Sequence, residues 1–284
     1  MGSSTRKDSL VIGKSSQLAR YFPAKGHEFL SSRRLDIEYI KSKKWKKIYL
    51  CAAEQRTYDH TLDFEKYNVK NTIDIIDSIK DRCEKLIVYS TAELWNKVHG
   101  KIDLSMNHRF NTKSPYIASK KGMTDILLGD PIKYHNIVVL FPFNFNSVYR
   151  KGDFLFAKIF DSIVNKIEIT IGDTYFYREL LHPSYVVQRS LLAAGHEIIG
   201  SGRVVFVNDF IRDLYRGFGL EYNRYVSEII SNHDKPQRDI YFLDSTKCLY
   251  SYDELLRDTL EDFSRKEKPK NDKISKRHNQ QRRY

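Results

Sequence analysis

Short apolar runs, set between segments with helical spacing, dominate the first half of the chain. Residues 8–13 (DSLVIG) read as a buried strand ending at Gly13. Residues 15–22 (SSQLARYF) follow with Leu18, Ala19 and Phe22 at helical spacing. Further strands are expected at 27–30 (HEFL), 47–53 (KIYLCAA), 85–90 (KLIVYS) and 136–141 (NIVVLF), the last stopped by Pro142. Tyr67, Ile73, Ile76 and Ile79 space a helix over 64–80, and Ser114-Pro115 opens another over 114–128. Strands too apolar to alternate, separated by helices, predict an α/β fold with a doubly wound parallel sheet. After about residue 150 the pattern loosens, with helices at 154–165, 208–217 and 253–263 and short strands at 167–171 and 203–207. The chain therefore divides into a sheet domain, 1–150, and a smaller irregular part, 151–264, interleaved with it and mainly substrate-binding. A basic stretch, 265–284, completes it.

Composition narrows the picture. With 41% hydrophobic residues in 284, the chain can bury a sizeable core. No run approaches the roughly 18 apolar residues of a membrane span, and the start, Met1-Gly2-Ser3-Ser4, lacks a signal peptide's apolar stretch. Cys51, Cys83 and Cys248 are scattered without a CxxC pair, so neither disulfides nor a metal site is expected, and the cytoplasm is the expected location. Of the net charge of +12, residues 265–284 carry +7, leaving +5 for the body. That tail holds one aliphatic residue, Ile274, and reads as solvated and disordered rather than as an RNA- or membrane-binding arm. Membrane and nucleic acid are thus not expected partners.

Two clusters carry candidate chemistry. Gly13, Ser16 and Ala19 have the spacing of a dinucleotide turn, which needs a glycine for the bend and small residues where backbone approaches pyrophosphate and helix meets strand. An ordinary strand–helix turn would look similar. Ser15, Gln17 and Leu18 belong to the same candidate cofactor site. After the second strand come Ser31-Ser32-Arg33-Arg34, with no acid before Asp36. Read with the turn, Ser32 and Arg33 favour NADP(H), with NAD(H) as the other option; read alone, they are an exposed basic loop. The second cluster is Tyr116-Ile117-Ala118-Ser119-Lys120, which sets a phenol and an ammonium one helical turn apart. The ammonium is expected to lower the phenol's pKa, so that Tyr116 can exchange a proton with a sugar hydroxyl or carbonyl while hydride moves. Ser90-Thr91 closes the strand 85–90 at the carboxyl edge, where a hydroxyl can bond the same oxygen.

On these motifs the chain resembles the extended short-chain dehydrogenase/reductases, the nucleotide-sugar epimerase/dehydratase group, over roughly residues 8–215. The resemblance rests on VIGKSSQLA (11–19), on Ala52 and Ala53 after what would be the fourth strand, on Tyr67-Asn68-Val69 with Thr72, and on YSTAELW (89–95). It continues through SPYIASK (114–120), FPFNFNS (141–147) and RELLHPSYVV (178–187). It implies a Rossmann-type fold, a nucleotide-sugar substrate, a homodimer, and a triad of Thr91, Tyr116 and Lys120, with Lys120 also a cofactor ligand. Ala52, Ala53 and Asn68 become cofactor-side residues, Asn68 as a support for the lysine. Asn144 would contact a phosphate or the nicotinamide pocket, and Arg178 the substrate diphosphate, unless Arg178 is simply a surface ion pair. In the family's dehydratases a Thr-x-Glu run supplies the base that removes the C5 proton, which here makes Glu93 that base; otherwise it is a helix-start carboxylate. Ala92 stands between them, as the GDP-mannose dehydratases and UDP-glucuronate decarboxylases tolerate, and Phe143-Asn144 with Ser147, Arg150, Phe154 and Lys158 also looks like the GDP-mannose dehydratases. Arg34-Leu35-Asp36-Ile37 looks like the 4-keto-sugar reductases. Departures are Ser16 and Ala19 in the turn, Asn96 where glycine is usual, and Phe141 where arginine is usual. The expected function is NADP(H)-dependent modification of a nucleotide-linked sugar through a 4-keto species, as dehydratase, reductase or epimerase. The competing reading is a non-catalytic NADP(H)-binding module with a partner- or nucleic-acid-binding tail.

Overall fold

Six strands, all parallel, form the central sheet: β1 (Ser9–Ile12), β2 (His27–Leu30), β3 (Trp45–Leu50), β4 (Cys83–Tyr89), β5 (Ile137–Pro142) and β6 (Glu197–Ile199). Their spatial order is β6-β5-β4-β3-β1-β2. The computed structural model describes residues 8–229 and 240–267. Leu10, Val11, Ile12, Ile48, Leu86, Ile87, Val139 and Leu140 are wholly buried, which is why these strands read as continuous apolar runs. Ile12 lies opposite Leu50, Leu50 opposite Val88, and Val88 opposite Val139. The carboxyl ends are therefore level, and Gly13, Cys51, Ser90 and Phe143 leave the sheet along one edge. The order reverses between β1 and β3, the place where open parallel sheets bind ligands.

The helix expected over 15–22 is a single 3₁₀ turn, Leu18–Tyr21. Phe22 adopts an extended backbone (φ −67°, ψ 136°), as a residue before proline prefers, and Pro23 ends the helix there. The segment 31–44 holds only a short 3₁₀ turn and helix α1 (Ile37–Lys41), with Asp36 accepting from the Tyr39 N–H at 2.9 Å. No further strand fits there, so Ala52 and Ala53 follow the third strand of the chain, not the fourth. The helix expected over 64–80 begins as a π-helical turn, Lys66–Lys70, and continues as α2 (Asn71–Ile79). Helix α3 (Pro115–Gly129) starts where Ser114 predicts, the serine hydroxyl accepting from Ile117 N.

Helices α4 (Leu155–Asn165), α5 (Pro183–Leu192), α6 (Val207–Gly217), α7 (Tyr222–Tyr225) and α8 (Tyr252–Glu267) make up the rest. Helix α5 and strand β6 were not expected, and they return the chain to the sheet: β6 pairs with β5, and α5 packs on the Leu18–Tyr21 turn. His182 is buried with Nε2 2.9 Å from Asp262, tying α8 to the start of α5. Two-stranded ladders complete the smaller part, including Asn144–Phe145 with Leu180–Leu181 and Tyr177–Arg178 with Val205–Phe206. Helix α8 carries the chain through residues 265–267; the rest of the basic stretch, 268–284, lies outside the described residues. Among the described residues no helix is long and apolar enough to cross a membrane, and no His/Cys/Asp/Glu group could hold a metal.

Candidate active site

A cavity of about 440 Å³ opens at the carboxyl edge of β3, β4 and β5. Its wall brings together Thr91, Glu93, Tyr116 and Lys120 with Leu18, Ala52, Ala53, Asn144 and Arg178. Gly13, Ser15, Ser16, Gln17, Ser32, Arg33 and Asn68 do not line it.

Helix α3 presents Tyr116 and Lys120 one turn apart. Lys120 is 3% exposed, and its Nζ donates to the Tyr89 carbonyl at 2.7 Å. Burial lowers its pKa from an ordinary 10.5 to about 8. Tyr116 moves the other way, to about 12: burial raises it most, Arg150 pulls it down, Glu93 pushes it up, and a hydrogen bond from Thr91 pulls it down. This corrects the expectation that Lys120 brings the phenol towards neutrality. The lysine is turned to the end of β4, and the cation Tyr116 feels is Arg150. At neutral pH Tyr116 is a phenol, set to give a proton.

The buried Lys120 has a consequence for stability. The folded chain loses this proton before the unfolded chain does, so stability is lowest below about pH 8 and is gained as pH rises towards 10.5. The gain is ~3 kcal/mol at most. Urea midpoints measured from pH 7 to 10 should rise for the wild type relative to Lys120→Met. Parallel curves for the two proteins would contradict the buried ammonium.

Thr91 caps the 3₁₀ turn Ala92–Trp95, its hydroxyl accepting from the Glu93 N–H at 3.2 Å. That turn aims Glu93 into the cavity. Asn144 donates to one carboxylate oxygen at 3.1 Å and Asn96 to the other at 3.0 Å, while Asn96 Oδ1 accepts from Asn111 N at 2.9 Å. Asn144 thus holds Glu93, a role different from the phosphate or nicotinamide contact expected. Asn96, the departure from the family's glycine, is the second clamp. Asn68, in the π-helical turn, accepts from Glu54 N at 2.8 Å and donates to Ser119 Oγ at 3.1 Å, and Ser119 donates to the Tyr116 carbonyl at 2.7 Å. It braces the helix between Tyr116 and Lys120 from behind.

The turn after β1 depends on glycine. Gly13 has φ +99°, and a Cβ there would stand 2.9 Å from the Cys51 carbonyl oxygen. Gln17 Oε1 accepts from Ser147 N and Oγ, both at 3.1 Å, so its side chain ties this turn to the loop after β5. Ser16 Oγ accepts from Ala19 N at 3.1 Å. Arg33 is exposed in the 3₁₀ turn after β2, where Ser31 Oγ accepts from its N–H at 3.3 Å. The close-passing glycine turn, the exposed Arg33 and the buried ammonium of Lys120 fit a dinucleotide laid across the switch point, although one 3₁₀ turn offers little helix dipole to a pyrophosphate.

Arg178 stands on the short ladder with Val205–Phe206, its guanidinium carbon 5.5 Å from the Phe176 ring centre and 5.9 Å from that of Tyr241. No carboxylate lies within ion-pair distance of it among the described residues. Arg150 and Gln55 also line the cavity, and neither stood among the expected site residues. The one signal for Arg150 was its place in the run 143–158.

No protein-family model matches the chain, and no curated protein matches it. Solved structures do. The RMD protein of Pseudomonas aeruginosa, complexed with NADPH, is 16% identical with a TM-score of 0.71, covering 90% of this chain and 98% of that one. UDP-N-acetylglucosamine 4-epimerase of Methanobrevibacter ruminantium M1, in complex with UDP-N-acetylmuramic acid, is 16% identical with a TM-score of 0.73, covering 92% and 99%. The dTDP-glucose 4,6-dehydratase of Bacillus anthracis, in complex with NAD, is 15% identical with a TM-score of 0.72, covering 93% and 98%. At such identities the likeness is one of architecture, and the chain has the fold of the extended short-chain dehydrogenase/reductases.

Proposed function

We propose that the chain is an NADP(H)-dependent enzyme that modifies a nucleotide-linked sugar through a 4-keto species, as a dehydratase, reductase or epimerase. One observation carries this reading: Thr91 and Glu93 from the end of β4, and Tyr116 and Lys120 from helix α3, share the wall of one cavity at the sheet's switch point. The solved structures of like fold support it, since they hold NADPH, NAD or a UDP-sugar. A homodimer and a cytoplasmic location belong to the same proposal. A non-catalytic module would have no use for a phenol and an ammonium one turn apart in such a cavity.

The nicotinamide, when bound, supplies or accepts the hydride. Tyr116 gives or takes the proton at the sugar's C4 oxygen, and Thr91 bonds the same oxygen. Lys120 would hold the nicotinamide ribose, and its ammonium would gain a partner beyond the Tyr89 carbonyl. Glu93, held in position by two amide donors, is placed to take the C5 proton that a 4-keto group acidifies. Arg178 would grip the substrate diphosphate. Arg33 would meet the cofactor's 2′-phosphate.

The Arg33 assignment gives the first check. A charge-assisted pair is worth about 1.5–3 kcal/mol, so Arg33→Ala should weaken NADPH binding by roughly 10- to 100-fold. NADH binding should stay nearly unchanged. Fluorescence titration of both cofactors reads this, and equal wild-type affinity for NADPH and NADH would remove the assignment.

A further inference from the structure

Arg150 lies in the cavity wall and has no place in the reaction just described. Its Nη1 donates to Gln55 Oε1 at 3.2 Å, its guanidinium carbon sits 3.8 Å from the Phe154 ring centre, and its Nε is buried without an acceptor. Among the described residues no carboxylate lies within ion-pair distance. Glu93, the acid in the same wall, is taken up by Asn96 and Asn144. The side chain is also held in place. Tyr58 meets Phe154 edge-on at 5.2 Å, and its hydroxyl fills the place a Cβ on Gly152 (φ +86°) would take. A half-buried guanidinium with one nitrogen shut off from any acceptor and no counter-charge among the described residues is costly, and a ligand anion would complete it.

Which part of the ligand brings the anion follows from position. Arg178, on its aromatic shelf, is the cation available to a diphosphate. Arg150 sits at the reacting end: it is the cation that most lowers the Tyr116 pKa, and Tyr116 in turn raises that of Arg150. We infer that Arg150 binds a carboxylate carried on the sugar itself, so that the substrate is a nucleotide-linked sugar acid. The inference rests on the function proposed above and narrows it. The planar fork of the guanidinium suits bidentate contact with a carboxylate, and the Gln55 amide beside it can join. If the carboxylate is at C6, no hydroxyl remains there to eliminate and 4,6-dehydration drops out; the 4-keto species would be a β-keto acid, open to loss of carbon dioxide as well as to epimerisation or reduction.

Calorimetric titration in the presence of NADP⁺ tests this with two pairs of ligands: UDP-glucuronic acid against UDP-glucose, and GDP-mannuronic acid against GDP-mannose. UDP and GDP serve as controls. The wild type should bind the acid of at least one pair roughly 10- to 100-fold tighter than its neutral partner. Arg150→Met should bring that ratio close to one while leaving nucleoside diphosphate affinity unchanged, and Arg150→Lys should keep part of the preference. Neutral sugars bound as tightly as the acids would overturn the inference and leave the proposed function standing. Loss of UDP or GDP binding in Arg150→Met would overturn it too, because Arg150 would then hold the diphosphate. Binding of no nucleotide or nucleotide sugar at all would remove both readings. Arg150→Met should melt no lower than the wild type, since it removes a half-buried cation with no carboxylate partner among the described residues; a large drop would make Arg150 a structural cation and overturn the assignment.

Discussion

Tyr116→Phe is expected to lower turnover by roughly 10²–10⁴, the range for losing a positioned general acid–base group, with cofactor binding and melting temperature little changed. The substitution removes one hydroxyl. The phenyl ring keeps its edge contact with Phe64, 6.0 Å between centres, and helix α3 keeps its Ser114 cap and the brace from Ser119. What disappears is the proton that moves as C4 is oxidised or reduced. The high pKa of the phenol, about 12, sharpens the expectation. When Tyr116 gives a proton, activity should hold across neutral pH. When it must take one, the added positive charge of oxidised cofactor, together with Arg150, has to bring the phenol down, and that direction should show the steeper pH dependence. A steady-state comparison of both directions in wild type and Tyr116→Phe checks this; full activity in the variant would contradict the role given to Tyr116.

Glu93→Gln should abolish exchange of the sugar's C5 proton with solvent while hydride transfer at C4 falls only slightly. The side chain keeps nearly the same shape and can still accept from Asn96 or Asn144, so the cavity should survive. An amide, however, cannot hold the proton. If the reaction is dehydration, product formation should fall by roughly 10²–10⁴; a reaction confined to C4 would lose little turnover yet still lose the exchange. Deuterium incorporation followed by mass spectrometry or proton NMR separates the two steps. Unchanged exchange in the variant would return Glu93 to the role of a carboxylate at a helix start.

Strands β1, β3, β4 and β5 were legible because the runs Leu10–Ile12, Ile48–Leu50, Leu86–Tyr89 and Ile137–Pro142 are buried on both faces and therefore apolar. Helix α3 was legible because Ser114-Pro115 is a strong start signal. The pairing of Tyr116 with Lys120 followed from helix geometry, and Thr91 from its place at a strand end. Other features depended on long-range contacts that no local pattern carries. Lys120 turns to the Tyr89 carbonyl, 31 residues away, and Arg150 meets Gln55 across 95 residues. The clamp on Glu93 joins Asn96, close in sequence, with Asn144, 51 residues away. The first helix shrank to one turn for a local reason that was present in the sequence: Pro23 sets the conformation of Phe22. Strand β6 has only three residues and depends on its neighbour β5, so neither its length nor its periodicity announced it.

The most direct test of the proposed chemistry is to incubate the protein with a panel of UDP-, GDP-, dTDP- and CDP-linked hexoses, their uronic acids and their 4-keto-6-deoxy derivatives, with NADP⁺ or NADPH, in deuterated water. Mass spectrometry of the sugars follows. Expected is conversion of at least one substrate by loss of water, gain of two hydrogens or isomerisation, dependent on the cofactor and lost in Tyr116→Phe. No change in any sugar, from a protein shown by titration to bind NADPH, would contradict the assignment of the Thr91–Tyr116–Lys120 cavity as a catalytic site.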